Sequence, residues 1–345
     1  MNDPHAPQAL HVPHAPHTDR ALGALYGLAL GDALGMPTQI MSRTAITARF
    51  GKVTGFEAGP PDNPVAAGLP AGSVTDDTDQ ALIVGRLLAE GRGRIDPTQL
   101  ATALLAWEAE MKAKGSLDLL GPSTKAALDA VTRGVPVTET GRTGTTNGAA
   151  MRVTPVGIAF PHDPLETFLD RVVESCQVTH DTNIGIAGAA AVAAAVSAAV
   201  AGSGLTAALD AAQTAAVAGA RRGHWSAGAD IATRIRWARE LVAGATAEDA
   251  VDTISDLVGT SVASQESVPA AFAVLALAGD DPWQACLLAA NLGGDCDTIG
   301  AIAGAISGAV AGLSALPPEA VATLRSVNTL DLEPLAADLL ALRTH

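Results

Sequence analysis

An all-α fold is predicted by three features of the chain. Hydrophobic residues make up 48% of it, yet aromatic residues only 3%. A core filled by Ala, Val, Leu and Ile suits closely packed helices. The second feature is glycine at every fourth position in two runs. Gly23, Gly27, Gly31 and Gly35 stand near one end of the chain, and Gly300, Gly304, Gly308 and Gly312 near the other. Residues four apart share one helical face. Glycine inside a helix costs roughly 0.5–1 kcal/mol relative to alanine, so aligned glycines need a reason, and close approach of another backbone supplies it. Two central, tightly packed helices are therefore expected, each ladder being a fitting partner for the other. Third, no stretch shows the strict alternation of a half-buried strand, and no repeat of fixed period is present.

The 345 residues can bury a large core as one domain or two. A net charge of −15 with no basic run excludes nucleic acid as a surface-bound partner. Cys176, Cys286 and Cys296 lack disulfide or zinc spacing, which fits a reducing, cytoplasmic setting. Residues 1–20 are rich in His and Pro and read as a disordered tail rather than a signal peptide.

The first helix is expected over residues 21–35, with Asp32 beside its glycine stripe. Residues 40–73, crowded with Gly and Pro, read as a long loop, a feature that often forms a functional lid. Ser73-Val74-Thr75-Asp76-Asp77-Thr78-Asp79 then opens an apolar helix over 81–89. The adjacent Asp76 and Asp77 repel unless a cation or proton intervenes. Helices follow over 96–112, with Trp107, and from Gly121-Pro122-Ser123-Thr124. Residues 144–157 form a second loop, Thr145-Thr146-Asn147-Gly148-Ala149-Ala150-Met151-Arg152. Its small residues let backbone N–H groups approach the oxygens of a ligand, and Arg152 reads as the partner of a structural carboxylate. Thr179-His180 heads a long Ala-rich helix; residues 205–253 read as amphipathic helices with Trp225 and Trp237 in a satellite core. Further helices begin at Gln265 and at Pro317-Pro318. The uncharged runs 183–206 and 298–318 are long enough to span a bilayer. Their Ala/Gly content, the lack of Lys/Arg flanks and their acidic neighbours instead predict buried helices, with no membrane partner.

Ala290-Asn291-Leu292-Gly293-Gly294-Asp295-Cys296-Asp297-Thr298-Ile299-Gly300 carries the densest chemistry. Two carboxylates and a hydroxyl within four residues are hard oxygen donors, suited to Mg²⁺, Ca²⁺ or Mn²⁺, and the glycines allow a turn tight enough to aim them together. An Asp-rich cap for the next helix is the alternative. The second cluster at residues 75–78 favours a metal reading: Thr75, Asp76, Asp77, Asp295, Asp297 and Thr298 would hold two Mg²⁺ or Mn²⁺ in one binuclear site built from both ends of the chain.

The pair Thr75-Asp76-Asp77-Thr78 and Gly293-Gly294-Asp295-Cys296-Asp297-Thr298 resembles the signature of the ADP-ribosylglycohydrolase family, also called the dinitrogenase-reductase-activating glycohydrolase family. Gly31-Asp32-Ala33-Leu34-Gly35, Asn147-Gly148 with Met151-Arg152, and Thr179-His180 match further family motifs, so the likeness runs from about residue 21 to 313. It implies a compact orthogonal multi-helix bundle over residues 21–345 with a binuclear metal site at its centre. It also implies that Gly121, Ser123, Asn147, Gly148, Ala149, Met151 and His180 bind substrate. The chain departs at one position. Where the family has a catalytic glutamate, seven residues after the motif aspartate, this sequence has Gln39, which cannot ionise. The base then falls to Asp77, to Asp118, or to a water on the metals. Three readings follow: a monomeric hydrolase of ADP-ribosyl compounds or modified proteins, a hydrolase of a smaller ribosyl compound such as a nucleoside, or a module that binds ADP-ribose and metals without turnover.

Overall fold

A computed structural model describes residues 15–116 and 120–343. The chain runs through α1 (Pro16–Gly35), α2 (Arg43–Phe50), α3 (Asp76–Glu90), α4 (Pro97–Ala113), α5 (Pro122–Thr132), α6 (Gly148–Met151) and α7 (Thr154–Ala159). It continues through α8 (Leu165–Cys176), α9 (Asn183–Val200), α10 (Leu205–Gly219), α11 (Ile231–Leu241) and α12 (Ala247–Thr253). The last helices are α13 (Ser264–Ala278), α14 (Pro282–Ala290), α15 (Cys296–Ala311), α16 (Pro318–Asn328) and α17 (Glu333–Arg343). Among the described residues the only β-type pairings are two isolated bridges, Thr146 with Ala263 and Thr182 with His224.

Helices α1 and α15 lie antiparallel with their glycine stripes face to face. A Cβ added at Gly31 would stand 1.9 Å from the Gly300 carbonyl oxygen, one at Gly27 2.2 Å from that of Gly304, and one at Gly23 2.1 Å from that of Gly308. No other residue fits at these three rungs. The fourth rung differs. A Cβ added at Gly35 would lie 2.4 Å from the Asp297 Cα, and Gly312 is not a helical rung but the cap of α15, with φ 87°. The register therefore sets the C-terminal end of α1 against the N-terminal turn of α15, where the acidic cluster begins.

Around this pair, α9 is buried along almost its whole length, from Ile184 to Val200. It is the one helix among the described residues long and apolar enough to cross a bilayer, and 94% of it is buried in the protein.

Several elements differ from expectation. Helix α1 starts at Pro16, where a proline fits the first turn because no N–H is needed there; the segment read as tail is thus helical from Pro16 to Arg20. The long loop contains α2, capped by Ser42, whose hydroxyl accepts from the Ala45 N–H. The loop over 144–157 holds the short helices α6 and α7. Trp225 stands 81% exposed on the segment after α10 rather than in a satellite core, whereas Trp237 packs against the core.

Candidate functional site

Asp32, buried on α1, anchors the first acidic cluster. Its carboxylate accepts from the Thr75 N–H (3.0 Å), the Thr75 hydroxyl (2.8 Å), the Thr78 N–H (3.1 Å) and the Thr78 hydroxyl. The free N–H groups that open α3 are thus capped by a side chain from another helix rather than by the cap residue's own. Because α1 also fixes α15, one aspartate joins both clusters in a single register. The Thr298 hydroxyl of α15 donates to Asp77 of α3 at 3.2 Å.

The carboxylates crowd one another. Burial holds Asp77 well above the usual carboxylate range, with the charges of Asp297, Asp32, Asp76 and Asp295 adding to the effect. Burial raises Asp32 to about 6, opposed by the hydrogen bonds from Thr78 and Thr75. Asp295 is likewise pushed by burial to about 6, against hydrogen bonds from Asn147 and Thr298. The Asn147 amide bridges Asp295 and the Ser267 hydroxyl of α13.

Gln39, Asp76, Gly121, Asn147, Gly148, Met151, Asp295, Asp297 and Thr298 line one cavity of about 240 Å³. Ile40, Val65, Thr124, Thr146 and Val262 complete much of its wall. Gln39 is 5% exposed and its Nε2 makes no hydrogen bond among the described residues. Other expected residues do not line the cavity. Asp77 is fully buried, Ala149 is buried in α6, and Ser123 accepts from the Thr146 N–H at 3.3 Å. Thr75 is committed to Asp32. Asp118 lies outside the described residues.

His180 is also fully buried rather than on the cavity wall. Its Nε2 contacts the Thr146 hydroxyl at 3.0 Å and its Nδ1 the Thr179 hydroxyl at 2.7 Å. Burial and the neighbouring Arg152 hold its pKa well below the usual value, so the ring is neutral.

Arg152 in turn donates to Thr179 and, at 3.1 Å, to the Gln80 side-chain amide oxygen Oε1; the Gln80 Nε2 donates to Asp76 at 2.7 Å. The sequence suggested a carboxylate partner for Arg152; among the described residues it pairs directly with none. It is a fully buried cation linked to Asp76 through an amide and to the cavity through Thr179, His180 and Thr146.

The family model described as ADP-ribosylglycohydrolase matches residues 13–345. The chain belongs to the ADP-ribosylglycohydrolase family. A solved structure titled "ADP-ribosylglycohydrolase-related protein complex" superposes with a TM-score of 0.68 and 28% identity, covering 95% of this chain and 99% of that one. The protein YegU of Escherichia coli, itself uncharacterised, is 39% identical over 93% of this chain and 96% of its own length. The ADP-ribosyl-dinitrogen reductase glycohydrolase of Rhodospirillum rubrum is 30% identical over 47% of this chain and 52% of its own length.

As a member of this glycohydrolase family, the chain was expected to carry a binuclear metal centre. Among the described residues no three His, Cys, Asp or Glu side chains form a group that could hold a metal ion as they stand. Asp76 is drawn to Gln80 and Asp295 to Asn147. The chemistry of the donors nonetheless fits hard dications: the set is all oxygen, mutually repelling, and Asp77 has a buried Oδ1 with no hydrogen-bond partner among the described residues.

Sequence reasoning missed Gln80, Thr146, Thr179 as a relay member, and Ser267. Only Gln80 had a local signal, its i, i+4 spacing from Asp76. The others meet through the fold. Thr179→Val keeps the shape but leaves buried donors of Arg152 and the His180 ring without their partner. A loss of about 1–3 kcal/mol is expected, read from urea unfolding; unchanged stability would mean the relay is not formed.

Proposed function

We propose that this protein is a metal-dependent hydrolase of an ADP-ribosyl glycosidic bond. The observation that carries this reading is that Asp76 from α3 and Asp295 and Asp297 from the start of α15 face one cavity together with Gln39 and Asn147. Glycosidic cleavage passes through an oxocarbenium-like state, which a ring of carboxylates favours electrostatically. Asp76, Asp77, Asp295, Asp297, Thr75 and Thr298 are the residues that would hold Mg²⁺ or Mn²⁺. Such dications would supply positive charge that anchors ribose hydroxyls and acidifies water.

The protein's own groups divide the remaining work. Gln39 offers a buried amide donor with no partner among the described residues, suited to a ribose hydroxyl. Asn147 fixes the rotamer of Asp295. Asp77 is screened from the cavity, so the carboxylates that can meet a water directly are those on the wall, Asp76, Asp295 and Asp297.

A second reading, hydrolysis of a smaller ribosyl compound such as a nucleoside, is favoured by one observation. The cavity of about 240 Å³ is below the range of roughly 300–1,000 Å³ usual for drug-sized ligands, so a whole ADP-ribosyl group must extend past it. Product analysis on ADP-ribosylated peptides and on nucleosides, with Mg²⁺ and with Mn²⁺, separates the two. Release of ADP-ribose supports the first reading; release of a free base from nucleosides alone supports the second; no release from either class removes both.

Gln39→Glu restores an ionisable group where the family has its glutamate. Ligand affinity is expected to hold, because size and hydrogen-bonding reach are kept. Turnover is expected to rise, by up to the 10²–10⁴-fold that acid–base assistance typically contributes. An unchanged rate, or loss of activity in a folded variant, would mean that the glutamine suits a different substrate or base.

A further inference from the structure

We infer that Ile40 is the specificity residue for the leaving group, which is carried on a polypeptide lying in the cleft beside the carboxylate cavity. The inference rests on the ADP-ribosyl reading above. Ile40 has φ 62°, a left-handed conformation in which a β-branched residue is strained. The surrounding backbone enforces it. The Ile40 N–H donates to the Gly294 carbonyl at 2.7 Å, the Gly294 N–H donates to the Met41 carbonyl at 2.9 Å, and the Asn63 amide donates to the Gln39 carbonyl at 2.9 Å. The segment is thereby fastened to the glycine turn that leads into Asp295.

The side chain held in this way faces outward. It is 59% exposed and makes one wall of two cavities at once. One is the carboxylate cavity. The other is a larger cleft of about 850 Å³, bordered by Ser42, Thr44, Thr47, Ser255, Asp256 and Thr260. A glycine would adopt this backbone without strain, and burial in the protein core does not explain the isoleucine, because the side chain is outside it. Its position at the division between the two cavities suits contact with a ligand that passes from one to the other. The smaller side holds the ribosyl group. The larger side, rich in hydroxyls and wider than a small leaving group requires, suits the polar backbone of a peptide, with Ile40 against the aliphatic part of the modified side chain.

The test uses the full chain with Mg²⁺ and two ligands: free ADP-ribose, and a peptide carrying ADP-ribose through a non-hydrolysable carbon-linked bond. Calorimetry compares the parent with Ile40→Gly and Ile40→Asn, both of which accept the backbone conformation and should melt no lower than the parent. The expected result is that the parent binds the peptide ligand more tightly than ADP-ribose. Both variants should lose about tenfold for the peptide ligand, the scale of one lost branched apolar contact, and clearly less for ADP-ribose, which meets Ile40 from the ribosyl side alone; an equal loss for both ligands overturns the inference. Equal affinity of parent and variants for the peptide ligand overturns the inference alone, as does a parent that binds the peptide ligand no better than ADP-ribose. Failure of the parent to bind either ligand overturns the ADP-ribosyl reading and this inference with it.

Discussion

Gly27→Leu is expected to prevent the native packing of the protein. The first carbon of the new side chain would already lie 2.2 Å from the Gly304 carbonyl oxygen, a backbone atom that no rotamer change can move. Helices α1 and α15 would have to separate, and the other two glycine rungs would open with them. The loss should exceed the 1–3 kcal/mol usual for an overpacked core, read as a lower urea midpoint or as failure to fold. Gly304→Leu should do the same from the other side. Gly55→Leu is the control, since nothing lies within 4 Å of its Cβ position. Equal midpoints for Gly27→Leu and the parent would mean that these helices do not meet along their glycines.

Asp295→Asn is expected to lower turnover by at least about 10²-fold while making the metal-free protein more stable near neutral pH. Asp295 is pushed to about 6 in the folded state, from an ordinary value of 3.8. A carboxyl whose folded value is raised holds its proton more tightly when folded, so its ionisation works against the fold. That loss begins as pH rises through about 4 and is complete above about 6. The amide removes it. The gain in melting temperature should therefore be present above pH 6 and absent below pH 4 when chelator is included. Activity lost without a stability gain would mean that the carboxylate is not strained by its surroundings; a stability gain with full activity would take Asp295 out of the chemistry.

The fold was legible where one residue type has only one physical use in its setting. Glycine at every fourth position of a helix signals backbone contact, and both ladders meet as expected through three rungs. The fourth rung was not legible, because glycine serves equally as a helix cap, and Gly312 is one. Helix α2 was hidden by the Gly and Pro content of its flanks. Trp225 was misread because aromatic residues usually find cover, and this one lies on a connecting segment instead.

The candidate site was legible as two acidic clusters, since like charges at helix starts need compensation. How they are held was not. Asp32 caps α3 from 43 residues away in the chain, and Arg152 reaches Thr179 from 27 residues away and Gln80 from 72. Neutral hydroxyls and amides carry no sequence signal for such partnerships. His180 was expected to bind substrate; it is buried, one hydroxyl behind the cavity wall at Thr146.

The central claim is that the two ends of the chain build one cation-binding, ribosyl-binding cavity. Crystals grown with Mn²⁺ and measured at the manganese absorption edge test it most directly. The expected result is anomalous peaks between the first turns of α3 and α15, within ligating distance of oxygens from both Asp76 or Asp77 and Asp295 or Asp297. Manganese bound to only one of these clusters, or only elsewhere on the protein, would contradict it.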